Sequence, residues 1–177
     1  DKVHLESNMV SSDEISTAAQ RIPEKLKIAI QKAKNNIEVF HKAQITSTVQ
    51  VETQPGVSCW QKKLPIEKVG LYIPGGSAPL FSTVLMLAVP AKIAGCNEVI
   101  ICSPPDNKGM LPDVILYTAN LCCVDRIFKV GGMQAIAGMT LGTESIPKVD
   151  KIFGPGNQFV TVAKQLATKY QVSIDMP

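Results

Sequence analysis

Three glycine turns, each ending in a polar residue, are the features of this sequence best suited to bind a ligand. The first is Pro74-Gly-Gly-Ser77, and the pattern returns at Gly131-Gly-Met-Gln134 and at Gly154-Pro-Gly-Asn157. Each predicts a strand, a turn and a helix start, which leaves free backbone N–H groups at the positive end of a helix dipole. Phosphates and other anions bind at such places. We therefore predict that the three turns line one edge of one sheet.

The polar side chains at these turns are Ser77, Gln134 and Asn157, and Tyr72 ends the strand before the first turn. Gln134 and Asn157 carry both donors and acceptors, which suits an amide or a hydroxyl-rich ligand. Both could instead cap helices or bind loop carbonyls, and capping is the stronger interpretation for Asn157. The residues alone leave both interpretations open.

Known nucleotide fingerprints are absent. The first turn lacks G-x-G-x-x-G, and the position about twenty residues on, where an acid binds the ribose, falls on Gly95. Asp106, the nearest acid after the second strand, lies too late in a loop, and no Walker A pattern occurs. The glycine turns alone are therefore weak support for a nucleotide.

The sequence contains few side chains that could act as an acid–base catalyst, a metal ligand or a nucleophile. The two histidines, His4 and His41, lie in the N-terminal part, and no pair of ligating residues has zinc spacing. Cys96 or Cys102 could be a nucleophile of the kind used in aldehyde oxidation, although a buried, apolar role is the stronger interpretation. We predict a binding edge, with no catalytic residue and no metal ligand in this chain.

Composition excludes several classes of protein. The 177 residues suffice for one large or two small domains, 45% of them are apolar, and the net charge of +3 is too weak and scattered to predict nucleic-acid binding. No stretch predicts a membrane span, because Pro90 and Lys92 interrupt the longest apolar run. Five cysteines, including the vicinal Cys122-Cys123, predict free thiols in a reducing cytoplasm.

The first part of the chain predicts helices and a hairpin. Ser11-Ser-Asp-Glu14 matches a capping box, and Pro23 suits the first turn of a second helix. The apolar face of that second helix comprises Leu26, Ile30, Ala33, Ile37 and Phe40. Alternation of apolar and polar residues over 49–53 and 57–60, around a Pro-Gly turn, predicts a β-hairpin. Its Trp60 is predicted to be a half-buried cover for the sheet, and stacking on a ligand is the weaker interpretation.

From residue 69 onward strands alternate with helices. Strands are predicted at 69–73, 98–102, 126–130, 151–153 and 172–175, and helices at 78–94, 112–121, 133–141 and 158–169. The helix at 78–94 is apolar nearly all round and is predicted to be buried. This order predicts an α/β fold: a Rossmann-like parallel sheet with flanking helices, preceded by an N-terminal helical segment and a β-hairpin. We predict a division into 1–45, the helical segment, and 46–177, the hairpin plus an incomplete Rossmann-like domain.

Several long stretches resemble histidinol dehydrogenase. They include Val51-Glu-Thr-Gln-Pro-Gly-Val57, Val69-Gly-Leu-Tyr-Ile-Pro-Gly-Gly-Ser77, Gly131-Gly-Met-Gln-Ala135, Ile174-Asp-Met-Pro177 and, most specific of all, Pro147-Lys-Val-Asp-Lys-Ile-Phe-Gly-Pro-Gly-Asn157. The resemblance runs through essentially the whole chain. It implies an NAD-dependent enzyme that oxidises L-histidinol through L-histidinaldehyde to L-histidine. It further implies a bound zinc ion, a Glu-His pair for acid–base work and an intertwined homodimer.

Carried over residue by residue, the NAD contacts of that family fall on Tyr72, Gln134 and Asn157. The family's zinc ligands, its Glu-His pair and its substrate serine would lie beyond Pro177, so we expect this chain to be part of a longer polypeptide and to be inactive alone. Two alternatives differ in kind: an aldehyde-dehydrogenase-like oxidoreductase that uses a thiol, and a non-catalytic α/β assembly module that needs a partner chain.

Overall fold

The structure is a computed structural model that describes residues 5, 7–76 and 78–175. Ser77, His4, Met176 and Pro177 therefore lie outside the described residues. The helices are α1 (Ser12–Arg21), α2 (Glu24–Lys42), α3 (Phe81–Ile93), α4 (Asp113–Leu121), α5 (Gly132–Leu141) and α6 (Gln158–Ala167), the last followed by a short 3-10 helix (Thr168–Tyr170). The strands are β1 (Gln50–Gln54), β2 (Val57–Trp60), β3 (Lys68–Tyr72), β4 (Glu98–Cys102), β5 (Arg126–Phe128), β6 (Lys151–Phe153) and β7 (Ser173–Ile174).

Five parallel strands form the main sheet, in the order β5-β4-β3-β6-β7. In register, Tyr72 of β3 lies opposite Cys102 of β4, and Leu71 lies opposite Phe153 of β6. The chain builds outward from β3 to β5 and then returns to the other side of β3, so the strand order reverses between β3 and β6. Ligands of open α/β sheets bind outside the carboxyl ends of the strands at such a switch point. The predicted fold class is confirmed.

Helices cover both faces of this sheet, as predicted. Successive residues of β3 point to opposite faces, so Leu71 belongs to one hydrophobic cluster and Tyr72 to the other. The first cluster takes in α1 to α4, and the second takes in α5 and α6. Because both faces are buried, the strands are continuously apolar instead of alternating. The end of β3 is therefore held from both sides.

The N-terminal segment closes one edge of the sheet. The predicted capping box is confirmed, since Ser11 N–H donates to Glu14 Oε2 at 2.9 Å and Glu14 N–H donates to Ser11 Oγ at 3.2 Å. Before it, Val10 N–H donates to the carbonyl of Ile127 at 2.9 Å, so this stretch runs beside β5 and covers its outer edge. The proposed division at residue 45 stays a prediction.

The hairpin is separate from the main sheet. β1 and β2 pair antiparallel as a two-stranded sheet of their own, and every residue in both strands is exposed. Trp60 is 66% exposed, so the prediction that it covers the sheet is wrong. Alternation predicted the strands correctly, but nothing in the alternation shows what a face packs against.

Other differences concern helix starts and faces. The helix predicted at 78–94 begins only at Phe81, because Pro79 disfavours helical backbone in the residue before it. Met86 of α3 is 54% exposed and Phe40 of α2 is 64% exposed, so neither apolar face is fully buried. The remaining elements agree with prediction to within a few residues at their ends.

Within the described residues, no helix combines the length and the apolar character needed to cross a membrane.

Candidate functional site

Tyr72 joins the first two glycine turns. It is the last residue of β3, its side chain is buried at 4% exposure, and its hydroxyl oxygen accepts the Gly132 N–H at 3.0 Å. Gly132 begins α5 after β5, so this bond reaches past the end of β4. The hydroxyl hydrogen of Tyr72 remains available to donate to a further acceptor.

Gly154 joins the third turn to the same tyrosine. A Cβ placed on Gly154 would lie 2.1 Å from the Tyr72 carbonyl oxygen, and the φ of Gly154 is +127°. A side chain is therefore excluded both by space and by backbone conformation. Tyr72 thus contacts both other turns, and the structure brings the three together at one edge as predicted.

Pro104, which the sequence analysis missed, lies between two of the turns. A Cβ at Gly131 would approach the Pro104 Cβ to 2.4 Å, and one at Gly75 would approach its Cγ to 2.6 Å. These two glycines are therefore needed for close packing around the loop after β4. The signal available in the sequence was Ser103-Pro-Pro105, which directly follows a predicted strand and marks a fixed loop at the same edge.

Two of the three predicted helix starts lie at the turns. α5 begins after Gly131, which has no capping side chain, and α6 begins after Asn157. The first turn differs because α3 begins five residues after Gly76. The prediction that a helix follows this turn directly is wrong, and its predicted polar residue, Ser77, lies outside the described residues.

The two amide side chains have different surroundings. Asn157 Oδ1 accepts the N–H groups of Phe159 and Val160, both at 3.1 Å, so the capping interpretation is confirmed for this residue. Gln134 is exposed in the first turn of α5, and its amide makes no hydrogen bond to any residue the structure describes. Asn157 Nδ2 likewise has no protein acceptor in the described part of the chain. Both amides can therefore bind a ligand without breaking a protein contact.

Two cavities flank Pro104 at this edge. One, of about 420 Å³, is lined by Asp106, Lys129, Gly131 and Gln134 among others. The other, of about 330 Å³, lies on the side of the first turn. A larger cavity, of about 820 Å³, lies elsewhere, beside α3 and the C-terminal end of α2, and its lining is mostly apolar. We place the functional site at the sheet edge, because the start of α5 and the side chains of Lys129 and Gln134 line the 420 Å³ cavity there.

Charged groups near the edge are already engaged. Asp106 Oδ1 accepts the N–H groups of Met110 and Lys108, which lowers the pKa of this carboxyl and fixes it within its own loop. Lys129 pairs with Glu14 at 2.6 Å. Asp106 therefore stabilises a turn in its own loop.

The buried thiols do not form a nucleophilic centre. Burial raises the pKa of the Cys102 thiol to about 12, and burial is also the largest influence raising the pKa of Cys96. A thiol is nucleophilic as the thiolate, so both behave as small apolar residues. All five cysteines are free, and of the vicinal pair Cys122 is buried and Cys123 exposed. These findings count against the thiol-based alternative.

The residues at the edge fit one of the two implied cofactors. The Gln134 amide, the Nδ2 group of Asn157, the Tyr72 hydroxyl and the uncapped start of α5 suit NAD, which offers hydroxyl, amide and phosphate oxygens. Zinc is not matched, since the described residues contain no group of three or more His, Cys, Asp or Glu side chains that could hold a metal. The edge described here is therefore a candidate dinucleotide site alone.

Fold and edge together define a doubly wound α/β domain of the kind that binds its ligand at a strand switch point. The family model described as histidinol dehydrogenase matches residues 1–177. Histidinol dehydrogenase of Bacteroides fragilis is 62% identical over 177 residues, covering 100% of this chain and 41% of the relative, and that of Escherichia coli is 57% identical over 179 residues. The chain belongs to the histidinol dehydrogenase family.

A solved structure agrees with this assignment. The crystal structure of histidinol dehydrogenase from Elizabethkingia anophelis matches with a TM-score of 0.98 and 55% sequence identity, covering 100% of this chain and 41% of that chain. The chain therefore spans about two fifths of the length of the relatives it matches.

Proposed function

We propose that this chain is the NAD-contacting portion of a histidinol dehydrogenase, an enzyme that oxidises L-histidinol through L-histidinaldehyde to L-histidine in histidine biosynthesis. The observation that carries the proposal is the convergence on Tyr72, whose hydroxyl oxygen accepts the Gly132 N–H and whose backbone lies so close to Gly154 that no Cβ fits there. Family membership supplies the reaction, and this convergence supplies a place for its cofactor.

The proposed contacts follow from the donors at the edge. Asn157 keeps Oδ1 on the α6 cap and directs Nδ2 to the ligand, so the capping bond also fixes the amide plane. Gln134 offers a donor and an acceptor at the start of α5, and Tyr72 offers its hydroxyl hydrogen. Bound NAD would supply the hydride acceptor, while these residues bind and orient it.

Zinc and the acid–base groups belong to the same proposal but not to this chain. By resemblance, the zinc ligands and the Glu-His pair fall after Pro177, and the described residues offer no metal-binding group. The parent enzyme is further proposed to be a homodimer. Support comes from apolar side chains that remain exposed on the hairpin and on α6, among them Trp60 at 66% and Phe159 at 60%.

An NAD titration followed by backbone amide NMR tests the proposal. We expect the amides of Gly132, Gln134 and Asn157 to shift with one common dissociation constant, while amides of the hairpin stay in place. Asn157→Asp keeps the capping oxygen and removes the Nδ2 donor, so it should weaken NAD binding while leaving α6 intact. Shifts confined to the 820 Å³ cavity, or Asn157→Asp binding as tightly as the wild type, would contradict the assignment.

The assembly-module alternative has one observation in its favour, the hairpin with both faces exposed. A two-stranded hairpin is marginally stable by itself, so a partner surface would be expected to cover it. Analytical ultracentrifugation with and without the remaining part of a relative separates the two functions. NAD-independent association, with no amide shifts at the sheet edge on adding NAD, would favour the assembly module.

A further inference from the structure

Lys164 is a buried lysine whose ammonium group contacts both a backbone carbonyl and a carboxylate. It lies on the inner face of α6 and is only 4% exposed. Its Nζ donates to the carbonyl oxygen of Gly154 at 2.9 Å and pairs with Asp175 Oδ1. A buried lysine needs partners of this kind, because taking an ammonium group out of water is costly.

Asp175 completes the arrangement from the other side. It follows β7, and its Oδ2 accepts the Gly154 N–H at 2.9 Å. Both backbone polar groups of Gly154 are thus bound by one ion pair, which we call the Lys164–Asp175 clamp. The clamp ties α6 and the end of β7 to the turn that follows β6.

The residue held by the clamp has a backbone conformation that side-chain-bearing residues rarely adopt. Gly154 has a φ of +127°, and its backbone lies against the Tyr72 carbonyl. Uncommon backbone conformations persist when the surroundings hold them in place, and they cluster at functional sites. Asn157 caps α6 three residues later, so the position of Gly154 sets both the Tyr72 contact and the start of α6.

We propose that Lys164 and Asp175 are positioning residues of the dinucleotide site, which fix the Gly154 peptide and thereby the Asn157 amide and the Tyr72 end of β3. This inference rests on the proposed function, since it takes Asn157 and Tyr72 as ligand contacts. A buried ion pair adds little net stability compared with apolar residues of the same size. Its effect is to allow one arrangement of the turn.

Three variants of the 177-residue chain test the clamp. Lys164→Met removes the ammonium group and keeps the apolar stem, Asp175→Asn keeps an acceptor for Gly154 N–H and removes the charge, and the double variant removes both charges. Lys169→Met, an exposed lysine just after α6, is the matched control. Each protein is titrated with NAD by amide NMR, and hydrogen exchange is measured at Gly154 and, as a reference, at Ile100 in β4.

We expect each single variant to weaken NAD binding about tenfold or more, because small displacements of positioning groups have large effects. The double variant should bind NAD at least as tightly as the single variant with the lower affinity, because the two residues act as a unit. Gly154 exchange should accelerate about tenfold or more, with Ile100 and the Lys169→Met control unchanged.

Two results would overturn the inference alone: a Lys164→Met chain that binds NAD as tightly as the wild type, or exchange that accelerates equally at Gly154 and Ile100. The second would show a general loss of stability in place of a positioning effect. A folded wild-type chain whose edge amides do not respond to millimolar NAD would overturn the proposed function and this inference with it.

Discussion

The hairpin and the switch between β3 and β6 use similar residues in opposite surroundings. Each contains β-branched strand residues, a cysteine within or beside it and a glycine with positive φ, Gly56 at +81° and Gly154 at +127°. In the hairpin every side chain is exposed and a Cβ on Gly56 would meet nothing within 4 Å. At the switch, Leu71 is fully buried and Gly154 lies against the neighbouring backbone.

The comparison teaches that surroundings, more than local sequence, decide whether such a turn can hold a ligand. A positive-φ glycine makes either turn possible. At the switch, the Asn157 cap of α6 and the Lys164–Asp175 ion pair hold the turn, while the Tyr72 hydroxyl holds the neighbouring turn at Gly132. We therefore expect the hairpin to be variable and locally labile, and the switch to be the rigid part of the molecule.

Thiol labelling should show the largest difference between the two regions. Cys59 in β2 is exposed, whereas Cys102 at the end of β4 is fully buried and has a pKa raised by burial to about 12. A disulfide reagent should modify Cys59 at least about a thousandfold faster than Cys102, since Cys102 reacts only through a large opening. Peptide mapping after timed quenching measures both rates. Comparable rates in the folded chain would abolish the distinction between a rigid switch and a labile hairpin.

Alanine at the two positive-φ glycines should separate the regions by stability. Gly154→Ala places a Cβ 2.1 Å from the Tyr72 carbonyl, so we expect a loss of about 3 kcal/mol or more in the free energy of unfolding. Gly56→Ala strains the backbone without a clash, so its effect should stay within the hairpin. Urea denaturation followed by circular dichroism measures both variants. A milder effect at Gly154 than at Gly56 would refute the close backbone contact described here.

Removal of the α6 cap should have an intermediate effect. Asn157→Ala loses two hydrogen bonds from the first turn of α6, at Phe159 and Val160, and should cost about 1 kcal/mol. Asn157→Asp retains the accepting oxygen and should cost much less. Thermal unfolding of the two variants side by side distinguishes the cap from the proposed NAD contact. Equal destabilisation by both would mean that the cap is not the stabilising interaction.

The smallest effect concerns Glu14, which joins α1 to the loop after β5. Burial by itself would raise the pKa of Glu14, but hydrogen bonds from Lys129 and Ser11 and the charge of Lys129 lower it below its usual 4.5. A lowered folded-state pKa means stability that is present above about pH 4.5 and lost as the pH falls through the folded-state value.

Between pH 6 and pH 3, the free energy of unfolding of Glu14→Gln should therefore fall less than that of the wild type. The difference should be less than about 1 kcal/mol. Asp13→Asn, an exposed acid in the same helical turn that makes no contact with Lys129, is the control. Urea unfolding across pH 3 to 6 measures the effect. An unaltered acid dependence in Glu14→Gln would exclude this ion pair as a source of acid lability.

Much of the fold could be predicted from the sequence because local patterns determine it. Apolar runs predicted five strands, three of which end at glycine turns, and Ser11 and Glu14 predicted the first helix start. The order of strands could not be predicted in this way, because it depends on which helix packs against which face. Trp60 illustrates the same limit, since alternation shows that a strand has two faces and not what covers them.

The glycine turns of the candidate site could be predicted from the sequence, but the ion pair that holds one of them could not. Tyr72, Gln134 and Asn157 could be proposed as ligand contacts because polar residues at strand ends and helix starts are visible in a sequence. Lys164 was not predicted because a lysine on a helix is usually solvent-exposed, and its partner Asp175 comes close to it only once β7 has paired with β6.

The most direct test of the account is histidinol-dependent formation of NADH, followed by absorbance with zinc present. This chain alone should give no signal, and activity should appear when the remaining C-terminal portion of the Bacteroides fragilis relative is added, because we propose that the metal ligands and acid–base groups lie there. Sustained turnover by this chain alone would contradict the account and would require a base and metal ligands among residues described here as structural.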